Sequence, residues 1–428
     1  MFSDASTISA DLDAMTEVTA VIEAREVTSV LQPVVRISSG EIIGYEALAR
    51  GPAGTRWESP IELFCAATAI GRGAELDWIC RARAIEAAME AGLPRSAALF
   101  VNTEPTSAGT SCPADLRSLV AQAGRSIRVV LELTERAVST EPAALLATAV
   151  ATRRAGIGVG LDNVGGDPAV LALLSLAHPD VIKLDPYLLR TPLRAETAHM
   201  VEGINEYARR TGAVIAASGI ETEQQCRIAR SMGATIGQGW YFGPPARAAA
   251  GPAGPREPLR GSRPLAARSA AAHDPALTPY DIVTARRPVR QSPAAMLLAV
   301  TRRLEASALD PDNPVIVLSC LRQPGALSLD QWDWYAALGR HAAMLGVVGP
   351  GLAGTTLPGA AIADVGPTDR LCGEWHTIVV GPRSAGALVA RAPVGAGRDP
   401  EDRLGYAITF DRELVLAAAR SLLGRITA

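Results

Sequence analysis

The chain has 428 residues, of which 48% are hydrophobic and 20% are charged, and its formal net charge is −3. This length predicts roughly three domains, and the composition excludes a disordered chain and a protein that coats a polyanion. No uncharged apolar run reaches membrane-spanning length, no secretory signal opens the sequence and the six cysteines are scattered, so we expect a cytoplasmic protein without a membrane span and with reduced thiols.

The pattern of residues 1–26 predicts an acidic N-terminal arm that ends in a short helix. From residue 27 to residue 245, short β-rich runs alternate with helical stretches that tend to end at glycine, as β/α units do. The predicted strands are Ser29–Ile37, Gly44–Arg50, Ala98–Thr103, Arg128–Leu133, Gly158–Asp162, Val181–Leu184, Val214–Ser218 and Thr235–Tyr241. The predicted helices are Ile61–Ile70, Leu76–Ala91, Pro142–Arg154, Ala195–Arg210 and Thr222–Ser231.

This succession of strands and helices predicts an α/β fold of the (β/α)8 type, a TIM barrel, with an open doubly wound sheet as the alternative. The first two strands are separated by a stretch around Ser38–Glu41, which is long enough for a hairpin and too short for a parallel crossover. We therefore expect a modified barrel over residues 27–245 whose first strand is antiparallel.

The alternation breaks at residues 246–292, which are rich in arginine, proline and alanine. This composition predicts a flexible, solvated linker and favours it over a segment that binds a specific nucleic acid or an acidic partner. Residues 293–428 then predict a smaller α/β (α+β) domain. Its expected elements are a helix at Met296–Ala306, strands at Val315–Leu321, Thr377–Val380 and Tyr406–Phe410, and a closing helix at Glu413–Leu423.

Polar residues lie at the ends of the predicted barrel strands, where a β/α barrel gathers side chains into one cleft. Three carboxylates, Glu46, Glu132 and Asp162, interrupt apolar strand runs, and Asn102 lies near the end of the third strand. Converging carboxylates need a cation, and hard oxygen ligands without a histidine suit Mg²⁺ or Mn²⁺ better than Zn²⁺. Lys183 is the only lysine among 41 basic residues, which favours a function that needs a compact ammonium group.

Five ordered motifs resemble the EAL-domain family, whose members hydrolyse the bacterial second messenger cyclic di-GMP to linear pGpG. The motifs are Gly44–Arg50 with its central Glu46-Ala47-Leu48, Phe100-Val101-Asn102, Leu131–Glu135, Ile182–Asp185 and Gln238–Phe242. The resemblance covers roughly half of the chain, and five motifs in order are far more specific than a single short one. It implies a TIM barrel with an antiparallel first strand and cyclic di-GMP as the ligand.

The resemblance also implies a role for each matching residue. It assigns the first metal ion, Mg²⁺ or Mn²⁺, to Glu46, Asn102, Glu132 and Asp162. Lys183 matches the residue that orients the attacking water, and Glu135 matches the acid that steadies the loop after the fifth strand. The positions that contact the dinucleotide are matched by Gln32, Leu48, Arg50, Asp185, Glu221 and Gln238.

Two positions depart from the family pattern. The family carries a second aspartate where this chain has Asn163, and a glutamate, the proposed base and second-metal ligand, where it has Ser218. Neither replacement is charged, and a two-metal hydrolysis needs both ions. We therefore expect a degenerate EAL domain that binds cyclic di-GMP or a protein partner as a receptor. The alternatives are an active phosphodiesterase with a replaced base and a barrel that binds nothing.

The C-terminal domain resembles the DICT family of sensory modules, which are found beside cyclic di-GMP enzymes. The resemblance rests on Leu371–His376, on the apolar strand and Ala385–Ala392 that follow, and on Phe410–Val415. It implies a bacterial signalling protein in which a regulatory module at residues 293–428 acts on the barrel. The sequence leaves open whether the protein forms a homodimer, which protein partner it meets and which signal it senses.

Overall fold

The computed structural model describes residues 4–104, 107, 110–134, 141–190, 195–247, 255, 259, 277–310, 313–322, 327–392 and 403–426. The chain divides into two compact units. The first comprises Met1–Glu135, Thr148–Gly166 and Pro179–Pro264, and the second comprises Arg136–Ala147, Asp167–His178 and Leu265–Ala428. No helix within the described ranges is long and apolar enough to cross a membrane. All six cysteines carry free thiols in this structure.

Eight strands of the first unit close into a barrel in sequence order. They are β1 (Thr28–Arg36), β2 (Ile42–Arg50), β3 (Ala98–Thr103), β4 (Arg128–Thr134), β5 (Gly158–Val164), β6 (Val181–Leu184), β7 (Val214–Ala217) and β8 (Ile236–Gln238). Strand β1 is antiparallel to both neighbours, β2 and β8, and the other neighbouring strands pair in parallel. The predicted α/β barrel with an antiparallel first strand is therefore confirmed.

The reversal between β1 and β2 is a tight hairpin. The Arg36 N–H donates to the Glu41 carbonyl over 2.8 Å, and the Gly40 N–H donates to the Arg36 carbonyl over 2.8 Å. Gly40 has φ +70°, a left-handed conformation that glycine adopts without the steric cost of a side chain. The resulting register sets Gln32 opposite Glu46, so that two candidate site residues are neighbours across the strand pair.

The interior of the barrel changes from apolar to polar along the strands. Side chains two residues apart in a strand point to the same face. In four strands, a residue of a buried apolar cluster is followed two positions later by a polar residue of the candidate site. The two side chains of each pair therefore lie on the same face of their strand. These pairs are Phe100 and Asn102, Val130 and Glu132, Val181 and Lys183, and Ile236 and Gln238. The apolar layer supports a polar layer at the carboxyl ends of these strands.

Among the described residues of 4–231, the helices include all five that were predicted and two, at 117–126 and 170–177, that were not. They are α1 (Asp4–Glu23), α2 (Pro60–Ala69), α3 (Gly73–Glu90), α4 (Arg117–Ser126), α5 (Pro142–Arg154), α6 (Val170–Ala177), α7 (Ala195–Thr211) and α8 (Glu223–Ser231). The prediction of an N-terminal arm with only a short helix is wrong, because α1 extends over 20 residues. Val18 and Ile22, one turn apart on α1, are buried in one cluster with Leu63 and Leu76, and this packing holds the helix.

The second unit contains a seven-stranded mixed sheet, which agrees with the predicted α/β (α+β) domain. Its strands are β9 (Arg290–Pro293), β10 (Ile316–Cys320), β11 (Met344–Gly349), β12 (Ala360–Asp364), β13 (Glu374–Val380), β14 (Ala385–Arg391) and β15 (Arg403–Thr409), in the order β12-β11-β10-β13-β14-β15-β9. Its later helices are α9 (Pro279–Thr284), α10 (Ala294–Glu305), α11 (Leu329–His341) and α12 (Arg412–Ile426).

The predicted linker at residues 246–292 is too long at its C-terminal end. Residues 279–284 form α9, and β9 begins at residue 290 as an edge strand paired with β15. Residues 279–284 form a helix because a capping box between Thr278 and Asp281 starts it. The Thr278 hydroxyl also donates to buried Glu374 over 3.0 Å, which ties this segment to the sheet. Residues 248–254, 256–258 and 260–276 of the predicted linker lie outside the described residues.

Candidate functional site

The centre of the candidate site is an ammonium group among three carboxylates. Lys183 Nζ lies 3.0 Å from Glu46 Oε2, 3.0 Å from Glu132 Oε2 and 3.2 Å from Asp162 Oδ1. All four residues are buried, and Glu132 is 0% exposed. Buried carboxylates need a compensating cation to stay ionised together. The only lysine of the chain supplies that positive charge.

The register of the barrel strands brings these side chains together. Asn102 of β3 pairs with Glu132 of β4, and Thr134, two residues further on, pairs with Asp162 of β5. The β5 partner of Glu132 is Gly160, at which a Cβ atom would lie only 3.2 Å from Glu132 Cγ. A glycine at this position therefore leaves room for the long acidic side chain on the neighbouring strand.

Burial and neighbouring charges shift the pKa values of these groups in opposite directions. Burial alone would raise the pKa of Glu46, but Lys183 and hydrogen bonds from Asn102 and Gln238 bring it below its usual value. Burial, only partly offset by Lys183, raises the pKa of Glu132 well above its usual value. Burial would lower the pKa of Lys183, but the three carboxylates raise it well above its usual value. Lys183 therefore keeps its proton at neutral pH.

The donor atoms of the cluster suit a hard divalent cation. Glu132 Oε1 and Asp162 Oδ1 are buried and have no hydrogen-bond donor among the described residues, the latter meeting Lys183 only as an ion pair. Asn102, which is exposed, donates its amide Nδ2 to Glu46 Oε1 over 2.8 Å, so its amide oxygen is a further candidate donor. Carboxylate and amide oxygens are the ligands that Mg²⁺ and Mn²⁺ prefer.

The present arrangement of these donors is centred on the lysine. Within the described ranges, no three His, Cys, Asp or Glu side chains are set around a common point as metal ligands. The three carboxylates instead converge on Lys183 Nζ. The residues thus fit Mg²⁺ or Mn²⁺ by the chemistry and the unused lone pairs of their oxygens.

An open cleft of about 320 Å³ lies over the cluster. Its lining residues are Gln32, Glu46, Asp162, Asn163, Lys183, Pro186, Ser218, Gly219, Glu221, Gln238, Gly239 and Trp240. A second cavity of about 10 Å³ lies inside the barrel beside Glu132 and Lys183 and is about the size of one water molecule. The larger cleft is within the size range of small-molecule binding sites.

Asn163 and Ser218, the two residues that the sequence resemblance sets apart, both line this cleft. Asn163 has φ +57°, a conformation that asparagine tolerates, and its Nδ2 donates to Asp162 Oδ2 over 2.8 Å. The Ser218 hydroxyl donates to the Leu184 carbonyl over 3.2 Å. Both side chains are neutral, and each of them is already hydrogen-bonded within the protein.

A pair of glutamines forms another wall of the cleft. Gln238 Nε2 donates to Gln32 Oε1 over 2.9 Å, and Gln32 Nε2 donates to the Gly243 carbonyl over 3.2 Å. The chain turns directly after Gln238, and a Cβ atom on Gly239 would lie 2.1 Å from the Ile220 carbonyl oxygen. This close approach ends β8 at Gln238, so the predicted strand to Tyr241 is too long. Because Gly239 has no side chain, the loop after β8 can approach the loop after β7 this closely.

Three of the six residues expected to contact the dinucleotide lie apart from the cleft lining. Leu48, Arg50 and Asp185 are not among the residues that line it. Arg50 Nη1 donates to the Ala49 carbonyl over 2.7 Å, and Asp185 caps the short 3₁₀ helix Pro186–Leu189 by accepting from the Tyr187 N–H. Glu221 lines the cleft and lies 3.5 Å from Arg190 Nη2. Glu135 lies outside the described residues.

Four lining residues were not among the predicted site residues, namely Pro186, Gly219, Gly239 and Trp240. Trp240 is 70% exposed yet borders the cleft, and Pro186 borders it beside Lys183. The signal for Trp240 was present, since an aromatic residue on a loop directly after a candidate binding residue offers a flat apolar surface to a ligand. Pro186 carried no such signal, because proline after a strand commonly begins a turn or a helix.

Comparison with known proteins identifies the family. The EAL domain profile matches residues 15–245. The chain is 28% identical over 219 residues to the uncharacterized protein y4lL of Sinorhizobium fredii, covering 50% of this chain and 26% of that one. It is 29% identical over 226 residues to the probable cyclic di-GMP phosphodiesterase PdeB of Escherichia coli, covering 52% and 43%.

Solved structures include the Klebsiella pneumoniae BlrP1 manganese/cy-diGMP complex at pH 9.0. This chain shares 27% identity with it at a TM-score of 0.45, and the alignment covers 52% of this chain and 56% of that one. In the sequence comparisons, the matched region spans less than half the length of y4lL and of PdeB.

Proposed function

The chain belongs to the EAL-domain family, and we propose that its barrel binds cyclic di-GMP as a receptor and does not hydrolyse it efficiently. The observation that carries this proposal is the position, charge and hydrogen bonding of Asn163 and Ser218. Both line the cleft, neither is charged, and both are hydrogen-bonded inward, to Asp162 and to the Leu184 carbonyl. The family has acids at these two positions.

The lost acids matter because Lys183 and Glu46, which line the same cleft, are poor replacements for a general base. Lys183 cannot accept a proton from water at neutral pH, since the carboxylates around it raise its pKa. Glu46, whose pKa lies below its usual value, is a weak base. A serine hydroxyl neither accepts a proton at neutral pH nor neutralises a cation. Loss of a positioned general base typically costs a factor of 10²–10⁴ in rate.

Retained binding is supported by the residues that remain. A dinucleotide brings two phosphate charges to a cleft whose floor already holds three carboxylates, so a divalent cation is needed between them. Glu46, Asn102, Glu132 and Asp162 would hold Mg²⁺ or Mn²⁺, which would bind phosphate oxygens. Gln32 and Gln238 offer amide groups to a polar base edge, and Trp240 offers a flat surface on which a guanine can stack.

A second candidate function is Mg²⁺- or Mn²⁺-dependent hydrolysis of cyclic di-GMP to pGpG. The observation that favours it is the intact cluster of Lys183 with three carboxylates. In that function Lys183 would orient the attacking water through its protons. Glu135 would steady the loop after β5, a role proposed from the family resemblance alone.

We further propose that the part of the second unit from α9 to residue 428 is a DICT-like sensory module that regulates the barrel. Its support is the sequence resemblance at Leu371–His376 and Phe410–Val415, which here belong to the region of β13 and to the start of α12. The proposed division is a barrel up to residue 245, a linker that ends before α9, and a module from there to residue 428.

Turnover under single-cycle conditions tests the proposed function. Protein in excess over cyclic di-GMP is incubated with Mg²⁺ or Mn²⁺, and products are resolved by chromatography, while calorimetry measures binding in the presence of Ca²⁺. The double variant Asn163→Asp with Ser218→Glu runs in parallel. We expect binding without pGpG from the native protein and pGpG from the double variant. Native turnover within about tenfold of the double variant would establish the enzyme instead, and absence of binding would reject the receptor.

A further inference from the structure

An ion pair with a buried carboxylate lies beside the end of β3, outside the cleft lining. Asp77 and Arg81, one turn apart on α3, form a salt bridge in which Asp77 is 1% exposed. The pair does not line the cleft. Its contacts within the described residues nevertheless converge on the chain segment that follows Asn102.

The carboxylate of Asp77 binds this segment at three points. Its Oδ1 accepts from the Glu104 backbone N–H over 3.2 Å, and its Oδ2 accepts from the Thr103 hydroxyl over 3.1 Å and from the Ser107 hydroxyl over 2.6 Å. Thr103 is the residue directly after Asn102. The backbone on the C-terminal side of Asn102 is therefore held by a charged acceptor.

Arg81 binds the same segment at two of the same hydroxyl groups. Its Nη2 donates to the Ser107 hydroxyl over 2.6 Å and to the Thr103 hydroxyl. The Arg81 guanidinium also stacks on the Trp78 ring at 4.5 Å, and Trp78 Nε1 donates to the Thr110 hydroxyl over 3.1 Å. One face of α3 thus fixes the chain at 103, 104, 107 and 110.

Stability alone is a weak reason for such a pair. Replacing a buried ion pair by apolar residues of similar volume is often neutral or stabilising, because removing both charges from water is expensive. Hydrogen bonds to a fixed carboxylate do, however, impose a defined geometry on the groups that they join. The constrained segment begins one residue after the side chain that donates to Glu46 Oε1 over 2.8 Å.

We propose that Asp77 and Arg81 are positioning residues that orient Asn102 toward Glu46 and toward a divalent cation. The cation part of this inference rests on the proposed function. Outer hydrogen-bond partners of metal ligands typically change metal affinity by 10–100-fold when they are lost. The clamp is defined as Asp77, Arg81, Thr103 and Ser107.

The test compares two clamp variants with a matched control in the full-length protein. Asp77→Asn removes the negative charge of the clamp, and Thr103→Val removes only the hydroxyl next to Asn102 at nearly constant shape. Asp180→Asn is the control, because Asp180 is also buried, pairs with an arginine, Arg153, at 3.2 Å and accepts from the Val159 N–H. Asp180 lies at the opposite end of the strands, directly before β6.

Calorimetric titration with Mn²⁺ is the first readout. We expect the Mn²⁺ dissociation constant to rise 10–100-fold in Asp77→Asn, several-fold in Thr103→Val and less than threefold in Asp180→Asn. Equal changes in Asp77→Asn and Asp180→Asn would refute the positioning role, since both variants lose a buried carboxylate. Thr103→Val decides the question if Asp77→Asn does not fold.

The second readout is the NMR signal of the Asn102 side-chain amide, recorded without metal. The signal is assigned through its disappearance in Asn102→Asp. We expect it to shift or broaden in both clamp variants and to stay in place in Asp180→Asn. A native protein that binds neither Mn²⁺ nor cyclic di-GMP would reject the proposed function, while a moved amide signal would still support the clamp. An unmoved signal in Asp77→Asn would reject the clamp whatever the native protein binds.

Discussion

Replacing Lys183 with methionine is expected to destabilise the barrel, because it removes the positive charge from among three buried carboxylates. At an effective dielectric constant near 20, unit charges about 3 Å apart interact by about 5 kcal/mol. Lys183 has three such neighbours, at 3.0, 3.0 and 3.2 Å. Dehydration of the ammonium offsets several kcal/mol of this attraction, and removal of one partner from a buried ion pair typically costs about 3–5 kcal/mol. We expect a loss of that size at neutral pH without metal.

The loss should depend on pH and on divalent cations. Without Lys183, the carboxyl groups of Glu46 and Glu132 escape mutual repulsion only by binding protons, so the destabilisation should shrink as the pH falls toward 5. Mn²⁺ should restore more stability to Lys183→Met than to the native protein, since it replaces the missing positive charge.

Hydrogen exchange at the amides of β3, β4 and β5 is the suitable assay, because a chain of two units does not unfold in one step. The control is Arg153→Met, which strips a cation from buried Asp180 outside the cleft. Arg153→Met should show less hydrogen-exchange protection than the native protein, and Mn²⁺ should not restore it. The reasoning is refuted if exchange in Lys183→Met matches the native protein in EDTA, or if Mn²⁺ protects both variants equally.

Two further predictions concern the cleft and the second unit. Trp240→Ala should weaken cyclic di-GMP binding about tenfold or more, as measured by calorimetry, because stacking on an aromatic ring contributes about 1–3 kcal/mol per base. The control is Tyr241→Ala, which lies next to Trp240 but outside the cleft lining and should change the affinity little. Burial raises the pKa of Glu305 above its usual 4.5, despite hydrogen bonds from Trp334 and Ser319. An acid with a raised folded-state pKa adds stability below its unfolded pKa and loses it as the pH rises through the folded value. Exchange protection of β10 should therefore fall with rising pH in the native protein and less steeply in Glu305→Gln.

The barrel and its polar layer could be predicted because each site residue breaks a local rule. Glu46, Glu132 and Asp162 stand in runs of buried apolar residues, where an unpaired charge is costly. Lys183 is a single lysine in an arginine-rich chain. Strand periodicity then fixes which face each of them occupies, so the convergence of these four side chains follows from the sequence once the strands close.

Side-chain directions and edge elements could not be predicted in the same way. The Ser218 hydroxyl points to the Leu184 carbonyl because of how β6 and β7 pair, which is a tertiary effect. Strand β9 reads Arg-Gln-Ser-Pro, a sequence without apolar alternation, and is a strand because β15 offers it a free edge. Helix α11, by contrast, was missed although the capping box of Ser328 and Gln331 marks its start.

The charge balance of the cleft also predicts how many divalent cations it holds. When all three carboxyl groups are deprotonated, as metal ligands must be, the three carboxylates and one ammonium leave two negative charges, which one divalent cation neutralises. Asn163→Asp with Ser218→Glu would add two negative charges beside the cluster, enough for a second divalent cation. We expect calorimetry with Mn²⁺ to give one ion per native chain and two per chain of the double variant.

The matched control for this count is Asn163→Asp with Ser218→Gln, which keeps the size of the second replacement and removes its charge. It should bind the second ion much more weakly than the double variant. A native chain that binds two Mn²⁺ ions in the cleft would contradict the charge argument. It would also weaken the case for slow hydrolysis, because the two-metal mechanism of phosphodiester hydrolysis uses both ions.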